Sequence, residues 1–448
     1  MALIASIGYK IYEMRYYLAL SLILSMTAIP VSNFFVIERD RNRNELFGEM
    51  YWRYGWKVYE KTDLELIAEA PPEWGFTEEH YALPRYLNVS YEYPVFGLIF
   101  FAMVVWIFPG AGGLQPLWIN FVLVLVFNLN LVLVSILLGD KIYNKQWARL
   151  FFAGYYIYGL ILSAGGGKLE PVVDCLFLMA LILRKEGQKG KAMAALGIAV
   201  QTKIYPGVAF PLFFLESPLA SIWFFASTLL TVIPFTFLGA SFDSLLSHFL
   251  NTSSYSTYVV NPLFPGLLIS PDTTNNSGTT YVWFPALIPL VIYLGFMLYT
   301  LPLYLPQKQV FLDSSWRKRI DLLKPLYVYL LPAILFVFRW VMPWYLFWLG
   351  IAIFLLDNDD QAIGYLKQVT IVGFLYAFGV MCNWPYFSSG PLPDFLLHFP
   401  KGLATLGGAL LLIDVAIIAI IFWKLLLERK EQKEKLIREA EARGELIL

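Results

Sequence analysis

The chain has 448 residues, 58% hydrophobic and 17% aromatic, with only 15% charged, and its 33 basic side chains balance 33 acidic ones. Soluble domains rarely carry so much apolar surface, so a polytopic membrane protein is expected. Zero formal charge gives no global field to recruit nucleic acid, and two cysteines inside apolar runs, Cys175 and Cys382, argue against a disulfide framework.

The first apolar run, about 16–37, is too long for a signal peptide and lacks a small-residue cleavage site, so it reads as a signal-anchor helix. Further apolar segments lie near 94–109, 116–138, 149–164, 170–184, 190–203, 204–216, 218–239, 281–304, 325–340, 342–356, 368–387 and 403–424. The expected fold is therefore all-α and polytopic, with about 11–13 hydrophobic helices in one domain over 1–424. Lys and Arg at 10 and 15, 141–149, 184–191, 308–324 and from Lys424 onward place those loops, and both termini, in the cytoplasm. The first outer loop 38–93, the turn Gly165-Gly166-Gly167-Lys168, the stretch Lys203-Ile204-Tyr205-Pro206, the loop 240–280 and the region from Arg339 to Pro343 fall on the opposite face. Two full crossings between 94 and 138 would put Lys141 outside, so one of that pair is expected to be re-entrant or interfacial.

Within the first outer loop, Glu45 to Tyr59 reads as an amphipathic helix on the membrane surface. Phe47, Met50, Tyr51, Tyr54 and Val58 share one face and Glu45, Glu49, Arg53 and Lys57 another, while Trp52 and Trp56 suit a headgroup belt. The loop 240–280 is rich in Ser, Thr, Asn, Tyr and Pro, and His248 lies near its start in a short amphipathic stretch, Phe242 to Leu250, that favours an interfacial role over a site role. The tail 425–448 mixes Lys, Arg and Glu at helical spacing and reads as a solvated cytoplasmic helix.

No Walker loop, dinucleotide fingerprint, Cys/His metal spacing or Gly-x-Ser-x-Gly elbow is present. The Gly165-Gly166-Gly167-Lys168 stretch lacks the spacing of a phosphate loop and reads as a surface turn with Lys168 available to a headgroup. Cations at the ends of apolar segments, Lys203 and Arg339, are costly in lipid and so are candidates for function, with snorkelling to headgroups as the bland alternative. A hydroxyl that attacks a sugar on a lipid phosphate needs a carboxylate to take its proton and fixed cations for the departing phosphate. Asp40 with Lys203 and Arg339 fits those roles.

The order of these elements resembles the GT-C superfamily of integral-membrane glycosyltransferases. The likeness is to the branch containing the catalytic subunit of GPI mannosyltransferase I and the bacterial polyprenyl-phosphate-mannose mannosyltransferases. That branch places an acidic D-x-D or lone D after the first helix and then G-x-x-x-Y, similar to Glu38-Arg39-Asp40 and Gly55-Trp56-Lys57-Val58-Tyr59. Its Y-x-Y-[PT]-P-L resembles Tyr91-Glu92-Tyr93-Pro94-Val95-Phe96, and its K-I-Y-P matches Lys203-Ile204-Tyr205-Pro206 in full. The late Q-Y-x-x-W-Y looks like the stretch from Arg339 through Trp344-Tyr345, and the S-x-R-G-N-x-[ED] turn is matched loosely by Ser163 to Glu170, without its Arg-Gly-Asn. Because Glu38 replaces the first Asp, either Asp40 or Glu38 fills the place of the base.

The resemblance implies a GT-C-like bundle and inverting transfer of a hexose, mannose favoured, from a polyprenyl phosphate to a lipid-linked or glycan acceptor. The reaction belongs on the extracytoplasmic or luminal face of a prokaryotic plasma membrane or ER membrane, with no cofactor and no metal. Lys203, Arg339 and Lys168 then hold the donor phosphate, and Glu92, Tyr91, Tyr93, Tyr205, Trp344, Tyr345 and His248 are candidates for sugar or acceptor contact. A secondary transporter or lipid-carrier flippase is the alternative, because broken helices and buried cations also suit alternating access. A cysteine placed at Asn144 is expected to react with a membrane-impermeant maleimide from the cytoplasmic side only; reaction from outside alone contradicts the side assignment.

Overall fold

The computed structural model describes residues 2–32, 38–77, 90–91, 93–108, 115–237, 287–301, 326–334, 345, 347–355, 359–360, 362–367, 370–371 and scattered positions between 416 and 438. These residues are mostly helical and contain no β-strand, apart from an isolated antiparallel bridge between Thr62 and Ser90. The loop 240–280 lies outside them.

Helices α1 (Ala2–Glu13) and α2 (Arg15–Ser32) run on almost without a break, since Met14 N–H reaches Lys10 O and Leu18 N–H reaches Met14 O, both at 2.9 Å. The helix expected from about residue 16 thus begins well before it. Helix α3 (Glu38–Tyr54) starts at Glu38 rather than at Glu45 and gives way to a 3-10 turn, Gly55–Glu60. Gly55 has φ +58°, a left-handed conformation that glycine adopts without a Cβ penalty, and it stops the helix short of Tyr59. Helix α4 (Asp63–Glu69) begins with a capping box in which Thr62 and Glu65 satisfy each other's backbone N–H.

Next come α5 (Val95–Ile107), α6 (Gln115–Leu138), and α7, a run over 145–165 in which α-helix (Lys145–Phe151, Ile157–Leu160) alternates with π-helix (Phe152–Tyr156, Ile161–Gly165). Helices α8 (Glu170–Lys185) and α9 (Lys189–Thr202) form a hairpin. A 3-10 turn, Tyr205–Ala209, leads to α10 (Phe210–Glu216), then α11 (Ser221–Phe237), α12 (Leu287–Thr300), α13 (Leu326–Pro332) and α14 (Trp348–Phe354). The main core draws on α6, α7, α8, α9, α13 and α14, with Phe127, Tyr155, Leu178, Leu196, Leu330 and Ile351 among its buried members. Described positions of the tail beyond 425 are helical and largely exposed.

One helix, Leu117–Tyr143, is long and apolar enough to cross a membrane; Val95–Ile107, Pro218–Leu229 and Leu290–Thr300 are apolar but shorter. Among the described residues, the 11–13 spanning segments expected from hydropathy therefore reduce to one clear candidate. Part of the reason lies in where the helices start. Asn120 of α6 donates to Ala164 O, near the end of α7, and Asn130 donates to Pro171 O at the start of α8, at 2.7 Å. Ten residues of α6, roughly 15 Å of axis, separate those levels, so the α8–α9 hairpin begins well below the first turn of α6.

Helix α5 occupies the same upper half. A Cβ on Gly97 would come within 2.8 Å of Leu169 Cδ2 and 3.4 Å of Thr202 O, whereas Phe108, just past the other end of α5, stacks on Trp118 at 4.3 Å. The segment 94–138 thus makes one full-length pass and one half-length one, which brings Tyr143 back beside Lys10 at 3.2 Å. Helix α3 lies against α5 backbone to backbone: a Cβ on Gly48 would stand 3.0 Å from Phe101 C and 3.2 Å from Ala102 N. Trp52, half exposed, donates to Ala102 O at 2.8 Å. Gly48→Leu is expected to force the pair apart at a cost of roughly 1–3 kcal/mol; an unchanged melting temperature in detergent would show that α3 does not need this contact.

Candidate functional site

Two chain breaks meet where α8 starts and α9 ends, one between α7 and α8 and the other between α9 and the 3-10 turn Tyr205–Ala209. Helix α7 finishes in a π-turn whose wide hydrogen bonds, Gly166 N–H to Ile161 O at 2.9 Å and Lys168 N–H to Leu162 O at 3.0 Å, carry the chain inward. Gly167 has φ +56°, and a Cβ there would lie 2.9 Å from Arg41 Cα, so glycine is required both by conformation and by the approach of α3. Lys168 follows and is only 2% exposed. The expected surface turn is therefore buried, because α3 packs directly over it.

Glu170 opens α8 and ion-pairs with Lys203, which ends α9. An anion at a helix N-terminus and a cation at a C-terminus both complement the helix dipoles. Lys203 is extended (φ −156°, ψ 144°), and Pro206, with no N–H to give, sits in the 3-10 turn that follows, so the Lys203-Ile204-Tyr205-Pro206 stretch is a built break between helices. The Lys203 ammonium lies 5.4 Å from the ring centroid of Tyr93, 5.5 Å from Tyr345 and 5.3 Å from Trp348. Lys168 feels both Glu170 and Lys203: burial pushes its ammonium down to about 7, Glu170 opposes that shift and Lys203 adds to it. The floor of the candidate site thus holds two lysines near the Glu170 carboxylate, whose second oxygen, Oε2, has no hydrogen-bond partner.

The roof is α3. Asn44 donates to Gly167 O at 3.3 Å and accepts from Tyr91 OH at 2.9 Å. Arg43 bonds both carboxylate oxygens of Asp63 at 2.9 Å and donates to Ser90 O at 3.0 Å, tying α3 to α4 and to the approach to Tyr91. Helical residues are about 100° apart around the axis, so Asp40 falls within roughly 40° of Asn44, on the face turned to Gly167 and Tyr91. Glu38, about 160° away from Asp40, falls within roughly 60° of Arg41, whose Cα meets the same Gly167 turn, so the register admits either acid to this side of α3. The side chains of Glu38 and Asp40, like Glu92, His248, Arg339 and Trp344 as a whole, lie outside the described residues.

Of the expected site residues, Lys168, Lys203, Tyr93 and Tyr345 come together. Tyr91 and Tyr205 stand beside them but cannot offer a ring face and a hydroxyl to a sugar. Tyr91 is fully buried against Phe47, with centroids 4.6 Å apart, and its hydroxyl is taken by Asn44. Tyr205 is stacked on Trp348 at 4.2 Å and 9°, and its hydroxyl donates to Asp174. Trp348 is covered on its other face by Tyr345 at 4.0 Å. Glu170 and Asp174 were not singled out in the sequence, although two acids four residues apart in the otherwise apolar segment Glu170 to Leu183 are a readable signal.

Glu45 does not line a solvated face of α3. It is 1% exposed, neither carboxylate oxygen has a hydrogen-bond partner, and burial raises its carboxyl to about 8, against a smaller opposing effect of Arg41. Burial likewise raises Glu49 to about 7. Among the described residues no three His, Cys, Asp or Glu side chains are grouped so as to hold a metal ion. No protein-family model, no curated protein and no solved structure matches the chain.

A carboxyl raised on folding stabilises below its unfolded value and loses that advantage as pH rises toward its folded value. Glu45→Gln is therefore expected to raise the melting temperature at pH 8 by several degrees and to change it little at pH 4. Equal shifts at both values would show that Glu45 is not a buried, protonated acid.

Proposed function

We propose that the chain is a polytopic membrane glycosyltransferase of the GT-C kind, which moves a hexose, with mannose the first candidate, from a polyprenyl phosphate to a lipid-linked or glycan acceptor. The observation that carries this reading is the pair Lys168 and Lys203 about the Glu170 carboxylate, beneath helix α3, to whose first turn Asp40 belongs. A phosphodiester brings one negative charge to this site, and its departure as a monoester creates a second. Two ammonium groups in a largely water-excluded floor stabilise that second charge more than the first, which is what lowers a barrier.

In this scheme the acceptor oxygen attacks the anomeric carbon from the side opposite the phosphate and the configuration inverts. The bond from the anomeric carbon to the phosphate oxygen breaks, its electron pair staying on that oxygen. The hydroxyl proton passes to the Asp40 carboxylate. Lys168, poised near neutrality by burial, takes up a proton as the phosphate arrives, because an added anion favours its charged form. The exposed indoles of Trp52 and Trp106 next to the roof suit a membrane interface and support a reaction at a membrane surface, and the Lys/Arg bias of the loops favours the extracytoplasmic one.

The test is transfer by purified protein in lipid, offered polyprenyl-phosphate mannose, glucose and arabinose with a lipid extract. Asp40→Asn is expected to lower kcat by about a thousandfold or more with donor binding retained, and Glu38→Gln by less than about threefold. Full transfer by Asp40→Asn would refute the assignment of the base, and a chain that transports rather than transfers would be indifferent to that change.

A further inference from the structure

Asp174 has no part in the scheme above, yet it is a wholly buried carboxylate in the apolar helix α8. Burying a carboxylate is costly, and a position that only fills space is better served by an apolar side chain. Both of its partners are phenols: Tyr205 OH donates to Oδ1, and Tyr155 OH donates to Oδ2 at 3.2 Å.

Glu170 and Asp174 are four residues apart, on one face of α8. Lys203, extended at the end of α9, and Tyr205, the first residue of the 3-10 turn that follows, are two residues apart. The first acid holds the first of these residues and the second acid holds the second. Beyond Tyr205 the contacts continue by stacking, from its ring to Trp348 at 4.2 Å and from Trp348 to Tyr345 at 4.0 Å. Trp348 and Tyr345 are two of the three rings that surround the Lys203 ammonium. Moving the Tyr205 ring therefore disturbs Lys203 twice, through the backbone and through the aromatic wall.

We propose that Asp174 is a positioning residue which, through the Tyr205 hydroxyl, sets where the Lys203 ammonium stands. The role of that ammonium toward a donor phosphate rests on the function proposed above. Because the second phosphate charge appears only as the glycosidic bond breaks, a displaced Lys203 costs turnover more than donor affinity. Tyr155, on α7, is bound to the other oxygen of the same carboxylate, and its ring, which stacks on Phe347 at 4.7 Å beside Trp348, is kept in Tyr155→Phe, so that variant removes a bond to Asp174 without touching the Tyr205 hydroxyl and serves as the control.

The experiment compares Tyr205→Phe, Asp174→Asn, their double variant and Tyr155→Phe in full-length protein, with rates counted per mole of monodisperse folded protein. Tyr205→Phe and Asp174→Asn are each expected to lower kcat by about tenfold or more, with donor KM within about threefold of the parent. The double variant should be no worse than the poorer single one, since both remove the same contact, and Tyr155→Phe should keep its kcat. A parent-like kcat in Tyr205→Phe, or an equal loss in Tyr155→Phe, overturns the proposal.

A second readout does not depend on the reaction. The pH profile for acetylation of Lys203 by acetic anhydride, read by mass spectrometry, should shift in Tyr205→Phe and Asp174→Asn and stay put in Tyr155→Phe. If no donor supports transfer by the parent, the functional reading fails while this profile still decides the positioning role: coincident profiles in all variants refute it.

Discussion

Two lysines and one glutamate in a protein interior form the constraint on which the rest of this architecture turns. An ammonium removed from water is tolerated only where a carboxylate, a ring face or a helix C-terminus compensates it. Lys203 has all three, with Glu170 paired to it, three aromatic rings within 5.5 Å, and the end of α9 behind it. Lys168 has the same carboxylate nearby and is brought close to neutrality instead.

That arrangement follows from where helices are cut short. The α8–α9 hairpin begins partway along α6, which leaves room above it, and α3 and α5 fill that room by packing backbone to backbone at Gly48. The same glycine logic lets Gly167 touch Arg41, so the roof of the site closes on its floor without an intervening side chain. Asn44 and Arg43 then replace water for the polar backbone of the broken segments. A recessed, largely dry floor is the setting in which fixed charges act most strongly.

Much of this was legible in the sequence where apolar runs end at charges or helix breakers. The segments expected at 116–138, 170–184 and 190–203 match Gln115–Leu138, Glu170–Lys185 and Lys189–Thr202 almost residue for residue. Lys203 stood out because a cation beside an apolar run is costly. What could not be read were the roles that depend on distant partners. Glu45 reads as part of the polar face of a surface helix and is buried, as are Arg41 and Arg43 before it, because Asp63, Ser90 and the Gly167 turn come from elsewhere in the chain. Tyr205 looked like a sugar contact, and its hydroxyl and ring face are already taken by Asp174 and Trp348. Helix lengths were also beyond hydropathy, which sees composition but not that α5 starts at half depth.

The most direct test of the central claim is the position of a phosphate. A cryo-electron-microscopy map of the full chain in a lipid nanodisc, saturated with polyprenyl phosphate, should show the phosphate within hydrogen-bond reach of both Lys168 and Lys203, between the Glu170 floor and the Asn44 face of α3. A phosphate bound elsewhere, with the Lys203–Glu170 pair and its aromatic wall undisturbed and no density between them and α3, would contradict the account.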